Sequence, residues 1–555
     1  MLSHRTPRSL FAAGLTVAVS FALLGPVGPT EAAGTSGPVV APAHLNLGAP
    51  DLAETRTETT LAPGVTLTKI HRGGTDSSLF WTAEVGIPSS SPDPDAPSSA
   101  LSSEANADAV AAKLDAAGID ARVEQVVSPQ LADAGGSLGY RVRAGRFAAQ
   151  ADAAGLVAQI KAAGYSSSVV YTGWDGDAGS IGQTRGPWNL DVVTIDPKQY
   201  RGELAASFGP DLESPETTSQ LTAAQHAIAG TNAGFFVFDP KAGAPGDPAG
   251  VGVYGGKTLR EPVGDRPGLI LDGTSNSTSI QRLSWDGSLS ESGTTLPLTG
   301  INRDPGLIRN CGEKGDQPTE QPQQDVTCTN PNELVAFTPE FGAKTPAGPG
   351  LEVTVDSHDT VTSVTAARGT SVPPGGHTVQ ATGDDVAQLR AVARVGQKMR
   401  VTADVLGENG RPLRTTKDTS VVNGGPMLLK DGQEDVTVRQ DGMVHQNDSN
   451  SFYYGWVHKR NPRTFAGTDA QGRTLIVTAD GRSTSSLGLS LKEEADVAQS
   501  LGMVQAMNLD GGGSTTAVAQ GALVNSPSGG AERPVGDAIL VLPARTDSGG
   551  AGRRP

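Results

Sequence analysis

The chain has 555 residues and carries 59 Asp+Glu against 43 Lys+Arg, a formal net charge of -16 that argues against a phosphate-neutralising nucleic-acid surface. Its length exceeds what one hydrophobic core supports, so more than one domain is required. Apolar content of 37% with 71 Gly and 38 Pro points to a soluble, loop-rich and strand-rich protein.

His4, Arg5 and Arg8 precede an uncharged apolar run from Leu10 to Gly25, and Pro26, Pro29 and small residues then lead to Ala32 and Ala33. This is a signal-peptide layout. The run is shorter than the roughly 20 residues of a spanning helix, and no later segment is apolar enough to span. Residues 1–33 are therefore expected to be removed, giving a secreted protein, extracellular or associated with the cell wall, with no membrane contact. Residues 34–66, rich in Ala, Pro, Gly and Thr, have the composition of a linker or tail.

A repeat follows. The alternating strand Trp81 to Gly86 is echoed by Tyr140 to Gly145. Each precedes a helical pattern, Val110, Ala111, Leu114 and Ala117 before Gly118, and Leu156, Val157, Ile160 and Ala163 before Gly164. Further strands come after, Ala121 to Val127 and Ser168 to Tyr171. The result is a small duplicated β-α-β domain, ferredoxin-like, with four strands and two helices on one face. Residues 67–172 resemble the sporulation-related (SPOR) domain, and the resemblance implies peptidoglycan contact through the exposed sheet face. A spacer without a ligand is the alternative, and Pro88 to Ala100 is a Ser/Pro/Asp insertion foreign to the pattern.

Residues 173–187 read as a Gly-rich linker. From 188 to 543 the chain is a succession of short strands with few helices, and 544–555 form a Gly/Arg/Pro tail. The fold class is α+β, a strand-rich catalytic domain preceded by the small domain. One helix is well marked: Ser490 to Glu493 is a capping box, Leu491, Ala495, Ala498 and Leu501 share a face, and Gly502 ends it. Cys311 and Cys328, the two cysteines of the chain, enclose a Pro/Gln/Asp-rich loop. In an oxidising compartment they are expected to form a disulfide worth about 3 kcal/mol. No His or third Cys lies near them for a metal, and the histidines are scattered. Calcium at the Asn-rich stretch around Asp448 is possible but not indicated, and no cofactor is expected.

The chemistry concentrates at strand ends. A strand ends in Asn508-Leu-Asp510, followed by Gly511, Gly512, Gly513, Ser514, Thr515 and Thr516. Three consecutive glycines imply close backbone approach or unusual dihedral angles, and their N–H groups could form an anion nest. Asn232-Ala-Gly234-Phe-Phe, Asn423-Gly424-Gly-Pro, Asn461-Pro-Arg463-Thr464, Asp480-Gly-Arg482 and Glu532-Arg533 supply further polar groups beside small neighbours. Taken in this order from about Asn189 to Leu542, these motifs resemble the phosphodiester glycosidase family. Ala233 departs from the Gly that the family often carries there.

That resemblance implies hydrolysis of a sugar-1-phosphodiester, GlcNAc-1-phosphodiester-like, in a cell-wall or extracellular glycopolymer. Such a reaction expels a weakly basic phosphate. It needs cations and N–H donors for the phosphate and a carboxylate near the anomeric carbon. The expected assignment makes Asp510 nucleophile or base and Asp480 its partner, with Arg463 and Arg482 clamping phosphate. Gly511, Gly512, Ser514 and Thr515 line the phosphate side, and Asn232, Gly234, Asn423, Gly424 and Thr464 orient the sugar or brace the loops. The structural alternatives are a hairpin turn for Asp480, a buried brace for Arg463, and mutual pairing of Glu532 with Arg533. Competing functions are a noncatalytic glycan-binding protein and a metal-dependent phosphodiesterase.

Overall fold

A computed structural model describes residues 44–88, 99–312, 315–318, 327–444 and 450–544. The signal peptide, the Asp448 stretch and the tail beyond 544 lie outside the described residues.

The central element is an eight-stranded sheet with the order Glu54–Ala62, Val65–Arg72, Trp188–Ile195, Thr474–Ala479, Arg463–Asp469, Met503–Asn508, Met427–Lys430 and Gln433–Glu434. Every pairing in it is antiparallel. Its inner strands are apolar on both faces, because each face meets another layer. Leu190, Val192, Phe465 and Val477 belong to one core with the Leu491–Ser500 helix. Val193, Ile195, Ala466 and Ile476 belong to a second core, shared with two five-stranded sheets. One of these contains Ala229–Asn232 and Ala538–Leu542, and the other contains Thr419–Asn423 and Pro267–Asp272. A further sheet with its own core, built on Leu351, Val353, Val379 and Leu389, is inserted between Pro267–Asp272 and Thr419–Asn423.

Two sequence boundaries are corrected. Residues 54–66 are not linker: Val65–Arg72 pairs with Trp188–Ile195 over its whole length, Lys69 opposite Asp191, and Glu54–Ala62 forms the sheet edge beyond it. Residues 173–187 do not act as a spacer either. Asp175 and Thr184 are buried, and the carbonyls of Gly173 and Asp175 accept hydrogen bonds from Arg460. Composition misled in both places, since Thr- and Gly-rich segments pair and pack when neighbouring strands supply the apolar surface.

The small domain runs Trp81–Gly86, helix Glu104–Ala116, Ala121–Ser128, Gly136–Phe147, helix Ala154–Ala162, Ser166–Tyr171. Its four strands form one antiparallel sheet with Gly136–Phe147 and Trp81–Gly86 at the centre. Ala83, Val85, Val142 and Ala144 pack against Val110, Leu114 and Ile160 of the helices. The opposite face, expected to be open, is closed: Glu84, Arg141 and Arg143 on it are buried.

Candidate active site

Asn232, Asn423 and Asn508 each end a strand, from three different sheets. Buried amides at strand ends can satisfy the backbone groups that the ladders leave unpaired. Asn232 Nδ2 donates to the Asp510 carbonyl at 2.6 Å, and its Oδ1 accepts from Thr464 Oγ1 at 2.7 Å and from the Thr516 N–H at 3.1 Å. The Asp510 N–H donates to the Ala233 carbonyl at 2.9 Å. Asn423 pairs with the backbone of Phe235 through both ends of its amide, at 2.9 and 3.1 Å. Gly234 fits between them because a Cβ there would lie 2.6 Å from Asn423 Nδ2. These residues fix Asp510 and Phe235 from behind.

Asp510 faces a cleft of about 350 Å³ lined by Phe235, Phe236, Phe238, Phe452, Trp456, Arg309 and Arg533. Burial raises its pKa to about 6, outweighing the opposing pull of the Ser514 hydroxyl, Arg533, the Gly511 N–H and Arg309. The carboxyl is thus ionised above neutrality yet poorly solvated, as a base or nucleophile requires. Aromatic rings beside it offer flat apolar surface to the faces of a sugar ring.

The triglycine run has a steric cause. A Cβ on Gly511 would meet the Pro462 carbonyl at 2.8 Å, one on Gly512 would lie 3.3 Å from Arg482 Nη2, and one on Gly513 would collide with the Arg533 guanidinium. The loop is bare so that two guanidinium groups can lie against it. Neither Arg482 nor Arg533 forms a salt bridge among the described residues; Arg482 is held by Asn461 Oδ1 through Nε at 3.1 Å and Nη2 at 3.0 Å. Two cations without carboxylate partners, beside a carboxylate and an aromatic wall, suit an anionic sugar derivative.

Residues 349–542 match the phosphodiester glycosidase family, and residues 99–171 match the SPOR domain. The chain therefore carries a phosphodiester glycosidase domain over residues 349–542. It is similar to N-acetylglucosamine-1-phosphodiester alpha-N-acetylglucosaminidase of Mus musculus, 32% identical over 108 residues, 20% of this chain and 21% of that enzyme. It is also similar to the SPbeta prophage-derived protein YomE of Bacillus subtilis, 30% identical over 122 residues, 19% of each. The chain thus spans only 19% and 21% of the lengths of these curated relatives. A solved structure from Burkholderia pseudomallei, described as an exported protein, is 33% identical with a TM-score of 0.80, covering 91% of this chain and 99% of that one.

Several of the roles expected from the sequence change. Arg463 is fully buried and lies under Trp456, 4.8 Å from the ring centroid. It donates to the carbonyls of Leu489 at 2.9 Å and of Trp456, and sits 3.8 Å from Glu494. It is a brace and cannot clamp phosphate. Asp480 does not line the Asp510 cleft. Its Oδ1 accepts from the Ser526 N–H at 2.8 Å, its charge acts on Asp191, and burial raises its pKa. The anion nest is also spent: the Gly511 N–H donates to Asp510 Oδ1 at 2.9 Å and the Gly512 N–H to Pro462 at 2.8 Å. Ser514, Thr515 and Thr464 are closed to solvent. Asn423 and Gly424 line a separate hollow of about 240 Å³ with Arg266 and Asn310.

Glu532 does not pair with Arg533. It accepts from the Ser219 N–H at 2.9 Å and from the Ser219 hydroxyl at 2.5 Å, on the first turn of the Thr218–Ala224 helix. Arg309 escaped the sequence argument altogether. It sits in the short strand Ile308–Arg309, paired with Thr327–Thr329 beside the Cys311–Cys328 disulfide, whose Cα atoms are 5.5 Å apart. The aromatic run Phe452, Tyr453, Tyr454, Trp456 was a visible signal for the cleft wall. Among the described residues no group of three or more His, Cys, Asp or Glu is arranged to hold a metal.

Proposed function

We propose that this protein is a secreted hydrolase that cleaves the C1–O bond of a sugar-1-phosphodiester, of the GlcNAc-1-phosphodiester type, in a cell-wall or extracellular glycopolymer. The observation that carries the reading is the Asp510 carboxyl, of pKa about 6, in an aromatic cleft beside arginines. In this reaction water adds to the anomeric carbon and the phosphomonoester departs. Asp510 takes the water proton, or attacks first and is released by water. Arg482 and Arg533, with Arg309 of the cleft lining, hold the phosphate as it gains charge. The leaving phosphate is weakly basic, so a partner acid such as Asp480 is not needed. The substrate class draws on the name of the mouse relative, and the cell-wall setting draws on the general association of SPOR domains with peptidoglycan.

The test is incubation of the protein and an Asp510→Ala variant with a panel of sugar-1-phosphodiesters, with and without chelator. Release of free sugar, insensitive to chelator and at least about 100-fold slower in the variant, is expected. Release of sugar phosphate, lost with chelator, would identify a metal-dependent phosphodiesterase, and binding without turnover a glycan-binding protein.

A further inference from the structure

The sheet of the SPOR domain turns one face to its helices, and the catalytic domain occupies the other. Glu84, Arg141 and Arg143 project from that second face with 5%, 4% and 1% exposure. Arg143 forms a two-armed pair with Asp175, at 2.6 and 2.8 Å, and donates to Glu84 at 2.7 Å. Arg141 reaches Asp177 at 2.8 Å, and Asp177 also holds His458 at 3.0 Å. The charged groups at the centre of this face, Glu84, Arg141 and Arg143, already have partners, so that part of it has little left to offer a glycan.

What the face grips is one turn of chain. Tyr454 donates its hydroxyl proton to Glu84 Oε2 at 2.8 Å and accepts from Arg141 at 3.2 Å and Arg143 at 3.3 Å. Lys459 Nζ bonds Glu84 Oε1 at 3.0 Å, and Tyr453 meets Ser128 at 3.0 Å. These residues belong to the π-helical turn Tyr453–His458 and its flank. Such turns are uncommon and recur at functional sites. Trp456 lies two residues on from Tyr454 in the same turn. There it lines the Asp510 cleft with Phe452, and its ring edge lies 3.5 Å from where a Cβ on Gly511 would be.

A buried ionic cluster of this kind adds little net stability, because desolvation offsets the attraction, but it fixes one geometry when every member is satisfied. We propose that the SPOR-domain sheet is a positioning element of the active site: Glu84, Arg143 and Tyr454 set where Trp456 and Phe452 stand, and thereby how tightly the cleft grips its sugar. The inference rests on the Asp510 cleft being the reaction centre. It assigns the buried sheet face to the hydrolase site and leaves peptidoglycan contact to other surfaces of the domain.

The experiment uses the full chain labelled with 5-fluorotryptophan. Its five tryptophans give separate ¹⁹F resonances, with Trp456 identified by its loss in Trp456→Phe. In Glu84→Gln and in the milder Tyr454→Phe, the Trp456 resonance is expected to shift or broaden while Trp285, in a distant sheet, stays put. KM for the sugar phosphodiester should rise about 5-fold or more with kcat changed less than about 2-fold, since a misplaced wall loses ground-state and transition-state binding alike. An unmoved Trp456 resonance in folded Tyr454→Phe overturns the proposal, as does an unchanged KM despite a shifted resonance. So does weaker retention of Glu84→Gln on insoluble peptidoglycan with Trp456 unmoved, which would return the face to glycan binding. If the parent protein turns over no sugar phosphodiester, the hydrolase reading fails separately and the resonance still decides the positioning.

Discussion

Arg482 sends two donors, Nε and Nη2, to a single acceptor, Oδ1 of Asn461. A neutral amide fixes the guanidinium without cancelling its charge, and Arg482 keeps a left-handed backbone, φ 55°, to reach it. This is how a cation is held ready for a ligand instead of for the fold. Arg482→Ala and Arg533→Ala are each expected to lower kcat/KM by about 100-fold, and Asn461→Ala by about 10-fold, because it frees the guanidinium without removing it. Melting temperatures should barely change. Steady-state kinetics beside thermal melts check this, and a large melting shift without a kinetic one would reassign both arginines to the fold.

Activity should rise with pH through about 6, the value to which burial lifts Asp510, and then level off. A carboxylic acid partner would add a falling limb at higher pH, and none is expected because phosphate leaves unaided. The pH profile of kcat/KM decides. A maximum below pH 5 that falls away through pH 6 would mean that Asp510 works in its protonated form.

The same burial carries a cost in stability. Asp510 rises from 3.8 to about 6 on folding, so the folded state binds its proton more tightly than the unfolded chain does. Ionisation therefore destabilises the fold. The penalty is absent below the unfolded value, grows between the two values and is fully present above pH 6. Two pKa units correspond to about 3 kcal/mol. Asp510→Asn should abolish activity and raise the melting temperature at pH 7.5, with little difference from the parent at pH 4. Loss of activity with a lower melting temperature at pH 7.5 would count against a strained carboxylate.

The parts of the site that were legible in the sequence are those whose backbone role restricts residue type. Three adjacent glycines announced close approach, and the approach is real, although guanidinium groups occupy the space where phosphate oxygens were expected. The capping box at Ser490 and Glu493 is present as read, with reciprocal bonds of 3.0 and 3.3 Å. What could not be read was which arginine lies free of the packed wall. Arg463 and Arg482 both sit beside strand ends, and only the packing of Trp456 over Arg463 separates brace from clamp. Asp480 failed for a similar reason. Its strand lies next to Trp188–Ile195, so its side chain faces Asp191 and the Ser526 loop, a neighbourhood set by strand order and not by motif.

The disulfide should matter to the site as well as to the fold. Cys311 is two residues from Arg309, and the loop it closes has a sequence separation of 17. Closing a loop of that length is worth about 3 kcal/mol. Reduction, or Cys311→Ser with Cys328→Ser, is expected to lower the melting temperature and raise KM several-fold by loosening Arg309. A melting shift with unchanged KM would place Arg309 outside the substrate contacts.

Arg463 and Arg482 can be told apart by a conservative exchange. Lysine keeps the charge but loses the planar fork. At position 463 the fork holds the Leu489 and Trp456 carbonyls in a dry interior, where Glu494 is the nearest acidic group and burial pushes that carboxyl up to about 8, leaving it largely protonated at neutrality. Lysine cannot reproduce both bonds there, and each buried carbonyl left unpaired costs about 1–3 kcal/mol. Arg463→Lys should therefore lower the melting temperature by several degrees, while KM, measured well below the melt, stays within about 3-fold. Arg482→Lys should do the reverse if, as proposed, its fork holds phosphate, since its partner amide is replaceable. The two variants are expected to move different observables because one guanidinium is buried in the wall and the other is proposed to meet the ligand; an Arg463→Lys protein that melts normally and binds substrate poorly would exchange those assignments.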